Sequence, residues 1–227
     1  MSNMPEQLVF ELPHRAAMGL EDFLVSDSNA AAVALVDRWP DWPIGAAILV
    51  GPRGSGKTHL ANVWQLRTGA TPHRAALLTR ESVPAVASAD AVIIENIQTL
   101  ADEAALFHLL NLVREQRLQV LLTTDKAPGD LPVSLPDLHS RLKALPLASI
   151  EPPDDALLRA VLVKLFADRQ LSVETHIIDY VLVRMERSMS AAERFVAEAD
   201  RLALVLQRRV TRAVATAALD VLGYRAA

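Results

Sequence analysis

Eight residues, Gly51-Pro52-Arg53-Gly54-Ser55-Gly56-Lys57-Thr58, follow the pattern G-x-x-x-x-G-K-[ST]. Glycines at these places let the backbone fold around an anion, so that several N–H groups converge on it. Lys57 then reaches the β- and γ-phosphates of a nucleotide, and the Thr58 hydroxyl joins the shell of a Mg²⁺ ion. The flanking residues are those the motif needs. Ala46-Ala47-Ile48-Leu49-Val50 is an apolar run of strand length, and Thr58, His59, Leu60, Ala61 and Trp64 have helical spacing. A strand, a glycine loop and a helix in that order bind a phosphorylated nucleotide at the helix N-terminus. ADP or ATP with Mg²⁺ is the implied ligand, held by 51–59.

Two further segments end in polar groups after apolar runs. Ala91-Val92-Ile93-Ile94-Glu95-Asn96 reads as a buried strand closed by an acid. In phosphate-loop enzymes a carboxylate at that place orders Mg²⁺, which makes Thr58 and Glu95 the candidate metal ligands. Asn96 stands where a second carboxylate commonly activates water. An amide holds a water but cannot take its proton, so weak intrinsic hydrolysis is expected. Leu121-Leu122-Thr123-Thr124-Asp125 is the other such strand, with Asp125 at its tip able to contact the γ-phosphate or its water. Turn formation before Pro128-Gly129 is the competing account of Asp125. Arg141 precedes the last strand and carries little weight from composition alone.

These residues need a scaffold. Besides 46–50, apolar runs occur at Ala75 to Leu78, Ala91 to Ile94, Val120 to Thr123 and Ala144 to Ile150. Continuous apolar runs bounded by polar residues read as strands covered on both faces. A helix is read at Ala30 to Arg38 and an amphipathic one at Ala104 to Arg114. The alternation predicts an α/β fold, a five-stranded parallel sheet sandwiched by helices. Glu151-Pro152-Pro153-Asp154 breaks the pattern. Beyond it only helices are read, from the Asp154 cap through Phe166, then Glu174 to Arg187, Ser190 to Gln207, and Thr211 to Leu222. The expected division is a flexible leader at 1–18, the α/β domain at 19–152 and a small all-helical lid at 153–227.

With 227 residues, 51% hydrophobic and 22% charged, the chain can bury a main core and a smaller one. No apolar run approaches the roughly 20 residues that cross a bilayer, and 1–13 lacks a signal-peptide layout, so a cytoplasmic location and no membrane contact are expected. There is no cysteine, and the six histidines have no metal-ligand spacing. A net charge of −4 argues against coating nucleic acid by bulk electrostatics. Arg208, Arg209 and Arg212 read as a solvated helix end.

Taken in order, these residues resemble the AAA+ module of the bacterial replication initiator DnaA, from about Gly19 to Leu222. Gly51 to Ala61 is similar to that family's phosphate loop and helix, and Ile94-Glu-Asn-Ile-Gln98 to its Mg²⁺ strand. Thr123-Thr-Asp125 is similar to sensor 1, and Ser140-Arg141-Leu142 followed by Ile150-Glu-Pro-Pro153 to the arginine-finger segment and domain junction. The sequence stops short of DnaA's helix-turn-helix, so no sequence-specific DNA-binding domain is expected. What remains resembles the Hda family, DnaA-related regulators that inactivate the initiator together with the polymerase sliding clamp. Their short clamp-binding peptide matches Gln7, Leu8, Phe10 and Leu12, with Glu11 in place of a proline. The resemblance implies that Arg141 acts in trans on ATP bound by DnaA. It implies as partners DnaA, the β sliding clamp of DNA polymerase III and a second copy of the chain, since arginine fingers act across subunit interfaces. At the family's sensor 2 arginine this chain has Ser190, with Arg194 one turn further along the same helix face. A stand-alone DnaA-like or helicase-loader-like ATPase, and a non-enzymatic DnaA and clamp adaptor, remain open on the same residues.

Overall fold

The computed structural model describes residues 24–224. Alternating strands and helices run in order through the first two-thirds. They are α1 (Ala30–Asp37), β1 (Ala46–Val50), α2 (Lys57–Thr68), β2 (Thr71–Arg74), α3 (Val83–Val86), β3 (Ala91–Glu95), α4 (Glu103–Gln116), β4 (Gln119–Thr124), α5 (Pro136–Lys143) and β5 (Leu147–Ser149). The remainder is helical: α6 (Asp155–Asp168), α7 (Thr175–Leu182), α8 (Met189–Leu206) and α9 (Arg212–Val221).

The strands form one parallel sheet in the order β2-β3-β4-β1-β5. Successive strand residues feed opposite faces. Ala46, Ile48, Val92, Ile94, Val120 and Leu122 join the apolar cluster under α4 and α5. Ala47, Leu49, Ala91, Ile93 and Leu121 join the one under α1 and α2. Both faces of the central strands are covered up to the polar tips at Glu95, Thr123 and Thr124, which is why they read as apolar runs. Trp64 on α2 is fully buried, with its ring 5.4 Å from Trp42, and this pins α2 to the segment after α1.

Two expected elements lie elsewhere. The apolar run Ala75 to Leu78 is not a strand: Ala75–Leu77 forms a 3-10 turn, and the strand is Thr71–Arg74 just before it. β2 is a sheet edge whose residues are largely exposed, so its sequence can be polar, while Ala75 and Leu78 drop into the core. The helix expected at Glu174 to Arg187 ends at Leu182, five residues early. Arg184 and Met185 there donate backbone hydrogen bonds to Val181 in a turn that redirects the chain toward α8.

The four C-terminal helices enclose their own apolar cluster, with Phe195 and Phe166 in edge-to-face contact at 6.2 Å. Side-chain caps begin three of them: Asp154 accepts from Leu157 N–H, Ser188 from Ala191 N–H, and Thr211 from Val214 N–H.

Candidate functional site

Because β3, β4 and β1 are adjacent and parallel, their C-terminal ends lie side by side, and everything that follows them shares one edge of the sheet. The loop after β1 is held down by Gly51 N–H donating to Thr124 O at 3.1 Å. Gly54 and Gly56 have φ of 76° and 106°, the left-handed region that lets successive N–H groups turn inward. At Gly51 an added Cβ would lie 2.4 Å from Ile150 O, so the loop passes β5 with no room for a side chain.

Lys57 opens α2 and is buried, its Nζ donating to Gly51 O at 2.6 Å and Pro52 O at 2.8 Å. The loop therefore wraps its own cation. Burial lowers the Lys57 pKa below 10.5, and the nearby Arg53 lowers it further, against the opposing pull of the Asp125 carboxylate. Between the lowered value and 10.5 the unfolded chain holds more protons than the folded one. The cost of burying the charged amine is thus relieved as pH rises through that window. A phosphate favours the charged amine, so nucleotide affinity is expected to fall as pH passes the lowered Lys57 pKa, with proton uptake on binding. Calorimetry in alkaline buffers of different ionisation enthalpy measures that uptake.

Thr58 Oγ1 donates to Glu95 Oε1 at 3.0 Å, so the hydroxyl and carboxylate expected to share a metal do lie together. Two hard oxygen donors beside a phosphate loop suit Mg²⁺, which takes few protein ligands and completes its shell with phosphate and water. Asn96 sits at φ 60° and ψ 53°, its N–H donating to Thr123 Oγ1 at 3.1 Å. Gln98 ties the strand tips together: its Nε2 reaches Asn96 Oδ1 at 3.4 Å, and its Oε1 accepts from Asp125 N–H at 3.3 Å. Two buried oxygens beside the loop, Ser55 Oγ and Asp125 Oδ1, have no hydrogen-bond partner among the described residues. A buried polar atom without a partner is costly; Asp125 borders the cleft, where a water held by a ligand would donate to it.

The opposite wall comes from the helical bundle. Met189 N–H donates to Gly54 O at 2.8 Å, and an added Cβ on Gly54 would lie 2.6 Å from Ser188 Cβ. The first turn of α8 therefore rests directly on the phosphate loop. Gly54→Ala is expected to cost about 2–4 kcal/mol, from left-handed strain plus the clash, and to shift the denaturant midpoint accordingly. Between loop and bundle lies a cleft of about 530 Å³, bordered by Lys57, Thr58, Asn96 and Asp125 on one side and Ser190 and Arg194 on the other. Arg53 and His59 also border it. It continues into an apolar recess of about 270 Å³ walled by Leu24, Val161, Leu165 and Met189.

Arg194 faces the cleft but is engaged there, with Nη2 3.2 Å from Tyr224 Oη and 3.7 Å from a Glu186 oxygen. Ser190 begins the same helix with no long side chain to offer. Arg141 is elsewhere. It borders a hollow with Ile44 and Ala46, at the N-terminal end of β1 and away from the loop. Its guanidinium lies 4.7 Å from the Phe107 ring centroid and donates to Asn111 Oδ1. The Glu103 carboxylate fixes the approach to its helix by accepting from Ser134 and Leu135 N–H. Gln7, Leu8, Phe10 and Leu12 lie outside the described residues.

No family model matches the chain. Over 88% of its length it is 26% identical to the chromosomal replication initiator protein DnaA of Thermomicrobium roseum, covering 48% of that protein. The chain spans about half the length of the curated relatives it matches. Domain III of the Thermotoga maritima replication initiation protein DnaA superposes with a TM-score of 0.76 at 17% identity, over 88% of this chain and 94% of that one. AMPPCP-bound DnaA from Aquifex aeolicus gives 0.64 at 21% identity, over 78% and 63%. The five-stranded parallel sheet with its helices is thus the AAA+ fold of DnaA domain III. Among the described residues no helix is long and apolar enough to cross a membrane.

Proposed function

We propose that this DnaA-related AAA+ module is a nucleotide-organised regulator of replication initiation, which acts on ATP bound by DnaA rather than on its own ligand. The observation that carries the reading is the separation between Arg141 and the phosphate loop. A guanidinium at the far end of β1 cannot touch a nucleotide held at Lys57, yet it is pre-set by Phe107 and Asn111. It can serve a nucleotide only across an interface, in DnaA or in a second copy of the chain.

The module's own site would take ADP or ATP. The N–H groups of 54–58 and Lys57 would hold the phosphates, and the apolar recess beside Met189 the base. Thr58 and Glu95 would hold Mg²⁺, which offsets phosphate charge. Asn96 is an amide already shared with Gln98 and takes no proton from water, so slow hydrolysis by the chain itself is expected. Arg194 would reach the phosphates by leaving Tyr224, taking the place of an arginine at Ser190. Bound nucleotide then bridges loop and α8, making the helical bundle a lid and fixing the surface offered to DnaA.

The peptide with Gln7, Leu8, Phe10 and Leu12 supplies one amide and three apolar anchors, the chemistry of groove recognition, and would dock on the sliding clamp. Tethering there raises the local concentration near replicating DNA. The test mixes the protein with clamp and ATP-loaded DnaA. Hydrolysis should rise when all three are present, and Gln7→Ala should abolish clamp capture and lower stimulation by roughly 10² at limiting concentration. Sequestration of DnaA without hydrolysis would make the protein an adaptor instead.

A further inference from the structure

The described arginines of the helical bundle divide into two sets. Arg159, Arg169, Arg187, Arg194 and Arg201 each pair with a carboxylate. Arg184, Arg208, Arg209 and Arg212 form no ion pair among the described residues; two of them meet Tyr180 on α7 and two border the segment that leads into it. Arg184 and Arg212 share a single ring: their guanidinium carbons sit 3.8 Å and 4.5 Å from the Tyr180 centroid. Arg184 is aligned by donating to Tyr180 O at 2.9 Å. Thr216 donates to Arg212 O at 2.9 Å, so its single proton is used and the Tyr180 hydroxyl donates to Thr216 at 3.1 Å.

Two guanidiniums at one ring gather positive charge that a bound anion would offset, and the acids around them are committed. Asp179 is held by Arg159, Glu174 contacts His176, and Glu186 faces Arg194. At the other end of α7, buried Val210 anchors the turn that presents exposed Arg208 and Arg209. These border a groove of about 760 Å³ against Gln170, Leu171 and Ser172, the residues that lead into α7. One pair thus stands by the C-terminal end of α7 and the other by the residues that precede it, and α7 itself is about 12 Å long for eight residues. That exceeds one phosphate and suits two or more in sequence. All four cations are arginine, whose fork engages two phosphate oxygens at once.

We propose that this face of the helical bundle binds the phosphate backbone of a nucleic acid. It lies on α7 and α9, apart from the nucleotide cleft, and does not depend on the function proposed above. Net charge and the short basic run conceal it in the sequence, because Arg184 and Tyr180 join Arg208, Arg209 and Arg212 only through packing.

The test titrates the full-length chain into a fluorescein-labelled oligothymidylate of about 20 nucleotides, and into a duplex of the same length, across a salt series. Four phosphate contacts give a log–log salt slope of roughly −3 for the single strand and −4 for the duplex, and the larger affinity at fixed salt identifies the preferred form. Arg184→Gln with Arg212→Gln should halve the slope and weaken binding about tenfold at low salt. Unchanged tryptophan emission from the Trp64 cluster checks the fold of that variant. Arg208→Gln with Arg209→Gln, at exposed positions, gives the same expected loss with no packing change. No oligonucleotide binding, or unchanged slope and affinity in both double variants, overturns the proposal. So does flotation with phosphatidylserine vesicles in the absence of oligonucleotide binding, which would assign the face to a lipid surface.

Discussion

Arg141→Ala is expected to leave nucleotide affinity and clamp capture unchanged while stimulated hydrolysis of DnaA-bound ATP falls by roughly 10³ or more. The size follows from what a guanidinium does for a transferring phosphoryl group. It donates in two directions to oxygens that gain charge, inside an interface from which water is excluded. Arg141→Lys should recover little, because an ammonium cannot reproduce a planar fork. Phe107 and Asn111 hold the side chain, so Asn111→Ala should give a smaller loss than Arg141→Ala. A single-turnover assay with radiolabelled ATP on DnaA reads both. Equal stimulation by wild type and Arg141→Ala would remove Arg141 from the chemistry.

Lys57→Ala carries the second large effect, on binding rather than stimulation. Charge-assisted hydrogen bonds contribute about 1.5–3 kcal/mol each, and Lys57 is placed to make two with phosphates. Their loss weakens ADP or ATP by roughly 10²–10⁴. Stability should change little. Removing a cation whose burial already lowers its pKa relieves desolvation, while Gly51 O and Pro52 O each lose a donor. A variant that loses nucleotide affinity but keeps its denaturant midpoint shows that the lysine serves the ligand and not the fold.

The loop, its flanking strand and helix, and the pairing of Thr58 with Glu95 were legible in the sequence because each depends on residues close to one another or on strands with unbroken apolar runs. β2 was not. An edge strand has one neighbour and an exposed face, so nothing forces its residues to be apolar, and the apolar run beside it drew the assignment four residues too far. The early end of α7 was hidden as well, since its helical spacing continues past the turn that tertiary packing imposes. In the site, Gln98 joins Asn96 to Asp125 across two strands, and Ser188 meets Gly54 across 134 positions of chain. Contacts of that range leave no periodic trace. Gln98 alone gave a faint signal, a polar side chain two residues beyond a strand tip that already carried an amide.

Ser190 shows the opposite case, where the sequence raised a question that geometry sharpens. The first turn of α8 touches the loop through its backbone, and the arginine that borders the cleft, Arg194, is bound to Tyr224 and Glu186. A response of the helical bundle to ligand therefore has three routes: the contact of Gly54 with Met189, the release of Arg194, and the recess walled by Val161 and Leu165.

Amide hydrogen exchange with and without ADP tests most directly whether a nucleotide joins the two halves of the molecule. Saturating ADP should slow exchange by at least about tenfold both in 54–58 and in the first turn of α8 at 188–194, and Lys57→Ala should erase both effects. Protection confined to the loop, with 188–194 exchanging at its unliganded rate, would contradict a nucleotide that organises the bundle.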